Sequence, residues 1–428
     1  MTGRPLISVV MPVRNGEATF RLALDSALQQ DCDDYEVVVA ENCSEDSTPE
    51  IIRSCNDPRV RVVRTEMPLA MPDNWEFAWE QARGDYVLYL CADDALLPSA
   101  LSRLSRVIKE RSPDLTSWEY AFYYHPDWHT AAERNTLRII PNSGDVADET
   151  ADDLRERVYG FQEPKWAPRM LNCCVRREKF EEIRRHYGRL FLTPCPDYSF
   201  LAFTLDALAT IIVIRRPLQV AGRSIGSVGA IQATTLGDAS EQFLKEFGGE
   251  DILRAGPCGV PVLANFIAAT LKNAGVLIAA SGGDAPPLDL PACFERAARN
   301  IKTIERYTEP RDEMRAVLEG AAARCGPDSV RAVSSVLDVE PKRRRFLTRF
   351  ADAVIGRSEL LSKVEVAFRF SGDSNRARRP YDIETGVSIR KNEIHVRGRA
   401  LGIRDIFGMT KIVDRLFDDL ARSRAQVN

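Results

Sequence analysis

Four short apolar runs near the N-terminus, at residues 6–11, 35–40, 60–63 and 86–90, constrain the fold more than any other feature. Each is long enough for one buried strand, and apolar residues fill both alternate sets, the pattern of strands covered on both faces. Stretches at helical spacing lie between and after them. Residues 20–30 carry Phe20, Leu22, Ala23, Ala27 and Leu28; residues 47–54 carry Pro49 near the first turn; residues 74–83 stop at Gly84; residues 99–110 follow the fourth run. Strands alternating with helices predict an α/β fold, an open, mostly parallel sheet flanked by helices. Ligands bind outside the carboxyl ends of such strands, so the polar residues after each run are the ones that matter.

The alternation continues more loosely. Residues 116–125 are β-branched and aromatic and predict a strand; 134–153 are polar and turn-rich and read as a loop. Strands are expected at 170–175 and 209–214, and helices at 177–186 and 198–208. Small residues at 224–237 mark a boundary, which gives two domains, 1–235 and 236–428. The second is expected to be mainly helical, with helices at 240–253, 262–280, 291–307 and 311–324 and a small hairpin at 387–396. The charge-free stretch 255–271 is broken by Gly256, Pro257, Gly259 and Pro261. It falls short of the roughly 20 apolar residues of a membrane span, so a buried helix from about Val262 is expected.

Charge adds to this. The chain has 58 Lys and Arg against 62 Asp and Glu, a balance that argues against a dedicated nucleic-acid binder. The distribution is uneven: residues 341–428 hold 20 basic and 11 acidic side chains, a net of +9, which leaves −13 for the rest. Lys342, Arg343, Arg344 and Arg345 open a segment with Phe346, Leu347, Phe350, Val354 and Ile355 at helical spacing. Such a segment either lies on an anionic membrane surface or turns its apolar face to a core. The ten cysteines include no CxxC pair, and residues 1–10 lack the plan of a signal peptide. A reducing, cytoplasmic setting follows as an expectation, with peripheral contact at the inner membrane face through the basic region.

Three polar clusters follow strands: Pro12, Val13, Arg14, Asn15, Gly16 and Glu17 after the first; Glu41 and Asn42 at the head of 41–48 after the second; Cys91, Ala92, Asp93 and Asp94 after the fourth. A fourth, Pro194 to Tyr198, opens a helix. Paired carboxylates at a strand end suit a hard cation, which takes one or two carboxylates plus substrate phosphates. Taken singly, Asp93 and Asp94 are equally well a solvated turn or a helix cap. No GxGxxG or P-loop follows the first strand.

The stretches 8–16, 41–48 and 82–98, in that order, resemble the family 2 glycosyltransferases of GT-A fold, and the resemblance spans about residues 5–230. It implies inverting, metal-dependent transfer of a sugar from a nucleoside-diphosphate sugar, UDP-linked by preference, to a saccharide or lipid-linked hydroxyl, in cell-envelope or exopolysaccharide synthesis. Pro12, Val13, Arg14, Glu17, Glu41 and Asn42 then line the base and ribose, with Asn42 where the family usually has a carboxylate. Ala92 and Asp93 meet the donor, Asp93 and Asp94 hold Mn²⁺ or Mg²⁺, and Cys91 replaces the family's first aspartate. Asp197 is the implied general base, although a carboxylate at a helix start is also an ordinary cap. Arg223 opens a loose match to a later phosphate-clamping pattern, with Ile225 in place of its histidine. Trp166 is expected in the core, or stacked on a sugar face. The alternatives are a non-catalytic nucleotide-sugar-binding or scaffolding protein and, more weakly, a sugar nucleotidyltransferase.

Overall fold

The structure, a computed structural model, describes residues 4–140, 145–225, 227, 250–306, 308–309, 311–338, 387–390, 393–398 and 403–425. Its first part runs β1 (Ile7–Val13), α1 (Phe20–Leu28), β2 (Tyr35–Glu41), α2 (Thr48–Arg53), β3 (Val60–Arg64), α3 (Met71–Glu80) and β4 (Tyr86–Tyr89). These are the alternating elements that the sequence predicts. The strands pair in the order β3-β2-β1-β4, all parallel. Strand side chains alternate between faces, so each apolar run feeds two cores. Val9, Met11, Val37, Val39 and Leu88 enter one with α1; Val10, Val38, Ala40, Val87 and Tyr89 enter the other with α3. Helix α3 begins at Met71, ahead of the expected Asn74, because Pro72 suits a first turn.

Next come β5 (Ala95–Leu96), α4 (Ala100–Arg111), β6 (Leu115–Tyr124), β7 (Thr136–Ile139), β8 (Val146–Thr150), α5 (Ala151–Tyr159), β9 (Cys173–Arg176), α6 (Arg177–Tyr187), α7 (Pro196–Ala207) and β10 (Thr210–Arg223). The sheet continues past β4 through β9, antiparallel to it, and then β6. Strand β10 lies parallel to β6 and also pairs with β5 and β8. Two expectations change here. Residues 134–153 hold two strands and a helix start instead of a loop. Strand β8 alternates exposed and half-buried residues along an edge and lacks the apolar signal of a core strand. Strand β10 runs to Arg223 instead of stopping at Ile214. Register shifts around Pro217 form a bulge that carries the strand past a proline.

The remaining elements are α8 (Glu250–Ala255), α9 (Leu263–Ala280), α10 (Leu290–Ile304), α11 (Asp312–Cys325), α12 (Pro327–Leu337), β11 (Val387–Arg390), β12 (Glu393–Arg397) and α13 (Ile406–Ala425). Helix α9 is long and apolar enough to cross a membrane by length and composition. Here Phe266, Ile267, Leu271, Ala274 and Ile278 pack into the core beneath α7, and Ala264 and Ala268 face α10 to α12. The expected hairpin forms, and β12 joins the main sheet: Ile394 pairs with Ile139 and Val396 with Leu137. Helix α13 closes the α1 face with Ile406, Met409, Val413, Leu416 and Phe417. Buried Asp414 anchors it, 2.8 Å from Arg216 and 3.0 Å from the Ser99 amide. The boundary near residue 235, most of the helix expected at 240–253 and the basic segment 342–355 lie outside the described residues.

Candidate functional site

The loop after β1 and the loop after β2 are laced together. The amides of Asn15, Gly16 and Glu17 donate to Ser44 Oγ, Thr48 Oγ1 and Asp46 Oδ2 at 2.8–3.0 Å. In return, the Glu45 amide donates to Asn15 Oδ1 and the Ser47 amide to Glu17 Oε2. Gly16 also lies against the turn after β4, since a Cβ there would stand 3.4 Å from Ala92 Cβ. The three strand ends therefore meet. Pro12 and Val13 are buried beneath them, and Arg14 and Glu17 stand exposed at the rim.

Glu41 and Asn42 are buried, and both are engaged. Glu41 lies 2.9 Å from Arg64 Nε and accepts from the Ser44 amide. Asn42 Nδ2 donates to the Leu69 carbonyl, while Oδ1 accepts from Thr65 Oγ1 and the Leu69 amide. Asn42 thus fixes the 65–69 segment, a holding role that the sequence reading did not include.

The turn after β4 divides its two aspartates. Cys91, Ala92 and Asp93 are half-buried, whereas Asp94 is buried. Asp94 Oδ1 accepts from the Gly222 amide at 2.8 Å and Oδ2 from Gln219 Nε2 at 2.6 Å. Both of its oxygens tie the turn to β10. Burial, and then the neighbouring Asp93, push its carboxyl well above the usual range. The Asp93 carbonyl accepts from His125 Nε2 at 3.1 Å and presses so close to β10 that a Cβ at Gly222 would lie 1.7 Å from it. Only glycine fits there. His125 thus serves to hold this turn. The Asp93 carboxyl is raised by burial, with His125 and the Ser227 hydroxyl pulling the other way. Arg223, at the end of β10, lies over the Phe122 and Tyr124 rings at 4.8 and 5.3 Å, and among the described residues it pairs with no carboxylate.

Asp197 occupies the first turn of α7 and is half-buried. Burial raises its carboxyl above the usual range; Arg169 and the amides of Asp197 and Tyr198 pull it back, and Glu163 adds to the rise. It shares surroundings with the β4 turn. Burial, then Asp94, Asp93 and Asp197 together, push the Cys91 thiol well up. Asp93 and Asp197 therefore both lie within electrostatic reach of one thiol. Tyr198 donates to Glu163 Oε1 at 2.6 Å, and Arg296 of α10 reaches the same oxygen at 2.7 Å. The helical region thus supports the residue next to Asp197. Arg296→Met should cost about 2 kcal/mol by leaving buried Glu163 without its cation, read by denaturant unfolding. Trp166 is buried in the core with Arg215 over its ring, the first of its two expected fates.

Among the described residues no group of three or more His, Cys, Asp or Glu could hold a metal ion. Asp93, at the turn after β4, is half-buried and has no basic side chain in salt-bridge contact among the described residues.

Residues 8–174 match the family model described as Glycosyl transferase family 2. The chain is 28% identical over 179 residues to the putative colanic acid biosynthesis glycosyl transferase WcaA of Escherichia coli, covering 40% of this chain and 61% of that protein. It is 30% identical over 109 residues to a Campylobacter jejuni GalNAc(5)-diNAcBac-PP-undecaprenol beta-1,3-glucosyltransferase, covering 25% of this chain and 35% of that one. The match spans about a third of the length of the first curated relatives. A solved structure of Staphylococcus aureus TarS 1–349 with UDP-GlcNAc aligns over 78% of this chain and 90% of that one, at 16% identity and a TM-score of 0.44. Over residues 8–174, the stretch that supplies the parallel strands and the laced loops at their ends, the chain resembles the family 2 glycosyl transferases.

Proposed function

We propose that the protein is an inverting glycosyltransferase that moves a sugar from a nucleoside-diphosphate sugar, UDP-linked by preference, to a hydroxyl acceptor in envelope or exopolysaccharide synthesis. The observation that carries this reading is the meeting of the three polar strand-end loops, with Asp93 on the last of them and Asp197 within electrostatic reach of the same Cys91 thiol. Asp197, in the first turn of α7, accepts the acceptor proton as the hydroxyl oxygen bonds to the anomeric carbon. The bond from that carbon to the diphosphate oxygen breaks on the opposite face, so configuration inverts and no covalent enzyme intermediate forms. Arg223, with its guanidinium uncommitted to any described carboxylate, is placed to meet phosphate oxygens. The laced loops and the Asn42-fixed segment shape the base and ribose end.

The donor chemistry fits Mn²⁺ or Mg²⁺ held by Asp93 together with substrate oxygens, since such ions often bind through one carboxylate. When bound, the ion supplies positive charge against the departing diphosphate. Titration of UDP with and without Mn²⁺ by calorimetry tests the assignment. Asp93→Ala should abolish the metal-dependent part of the affinity. Unchanged metal dependence would remove Asp93 from the role. Release of UDP from a donor panel, with water as acceptor, separates an enzyme from a binding protein. On this reading the transfer takes place at the cytoplasmic side of the membrane, and sedimentation with anionic vesicles tests whether the basic region contacts lipid.

A further inference from the structure

Arg169 lies on the segment between α5 and β9, near enough to Asp197 to pull its carboxyl down. Its guanidinium stands over two tyrosine faces, with Cζ 5.6 Å from the Tyr120 centroid and 5.8 Å from that of Tyr198. Both rings are buried. Cation–π contact at this range fixes the plane of the group while leaving its N–H edges available. Its Nε is buried without a hydrogen-bond partner. Among the described residues no carboxylate lies within ion-pair distance of its terminal nitrogens. Of the nearby acids, Glu163 serves Tyr198 and Arg296, and Asp197 acts on Arg169 only through space. An oriented, partly buried cation without a bonded anion is an unusual thing to keep.

Charge arithmetic gives it a use. With Asp197 ionised, Arg169 and Arg296 balance Asp197 and Glu163. Once Asp197 has taken a proton from the acceptor, the cluster carries one uncompensated positive charge. A group that stays anionic on the acceptor would meet that charge at the moment it appears. The donor diphosphate has its own cationic counterpart in Arg223, which lies over Phe122 and Tyr124.

We infer that Arg169 is a specificity-determining residue that binds an anionic oxygen group, carboxylate or phosphate, carried by the acceptor beside its attacking hydroxyl. The inference rests on the glycosyltransferase reading and names the acceptor class for it.

The test is calorimetric, on the full chain with UDP and Mn²⁺ present. Two probe pairs separate the sources of the anion: methyl β-glucuronide against methyl β-glucoside, and glycerol 1-phosphate against glycerol. The native protein should prefer the charged member of one pair by roughly tenfold or more, the range of one charge-assisted hydrogen bond. Arg169→Gln should erase that preference, and Arg169→Lys should keep part of it, with UDP affinity unchanged in both. Circular dichroism confirms that each variant is folded. A native protein without preference in either pair would overturn the inference. So would a loss of UDP affinity in Arg169→Gln with the preference intact, which would move Arg169 to the donor. Absence of UDP binding by the native protein would instead strike the glycosyltransferase reading, and the probe pairs would still report on Arg169.

Discussion

Asp197→Asn should reduce transfer by about a thousandfold, within the range of a positioned general base, while leaving the fold and donor affinity in place. The amide keeps the shape and one acceptor oxygen, so the helix start survives. What it loses is the capacity to take the acceptor proton. Turnover of the native protein should fall as pH drops through the pKa of Asp197, because only the ionised form accepts a proton. Burial raises that pKa, so the acid limb of kcat/KM should lie above the usual carboxylate range. In Asp197→Asn the limb should vanish from whatever activity remains. Retained turnover with an unchanged acid limb would return Asp197 to the role of a helix cap.

Asp94→Ala should be mainly a stability defect, of about 4 kcal/mol, because two buried donors lose their acceptor at once. The Gly222 amide and the Gln219 side chain have no water to turn to, Gln219 being fully buried. Asp93→Ala, by contrast, removes a half-buried carboxylate and should cost under about 1 kcal/mol. Urea unfolding of the two variants measures the difference directly. Equal costs would mean that Asp94 does not fasten the turn to β10. The contrast matters because the two residues are adjacent and chemically identical. Only the strand opposite tells them apart, by bonding Asp94 to Gly222 and Gln219.

The parallel core was legible in the sequence because Val9, Val10, Val37, Val38, Val87 and Leu88 bury both faces of short strands, a local signal. The loops after β1, β2 and β4 could be read as one crevice because parallel strands place their carboxyl ends together. The partners that decide what each residue does were not legible. Asp94 is explained by Gly222 and Gln219, and Asn42 by Thr65 and Leu69, pairings fixed by register and loop path. Arg169 has no motif around it; its surroundings come from β6 and α7. Strand β7 was missed for a related reason. Leu137 and Ile139 are covered by Val396 and Ile394, far along the chain.

The sharing of one sheet by the two ends of the chain has a practical side. A shortened version ending at residue 338 would lack β12 and α13, leaving the backbone of β7 and the apolar ground under Met409, Val413 and Phe417 open to water. Bare strand edges recruit other strands, and such a fragment should be recovered as insoluble aggregate even though its cleft residues are all present.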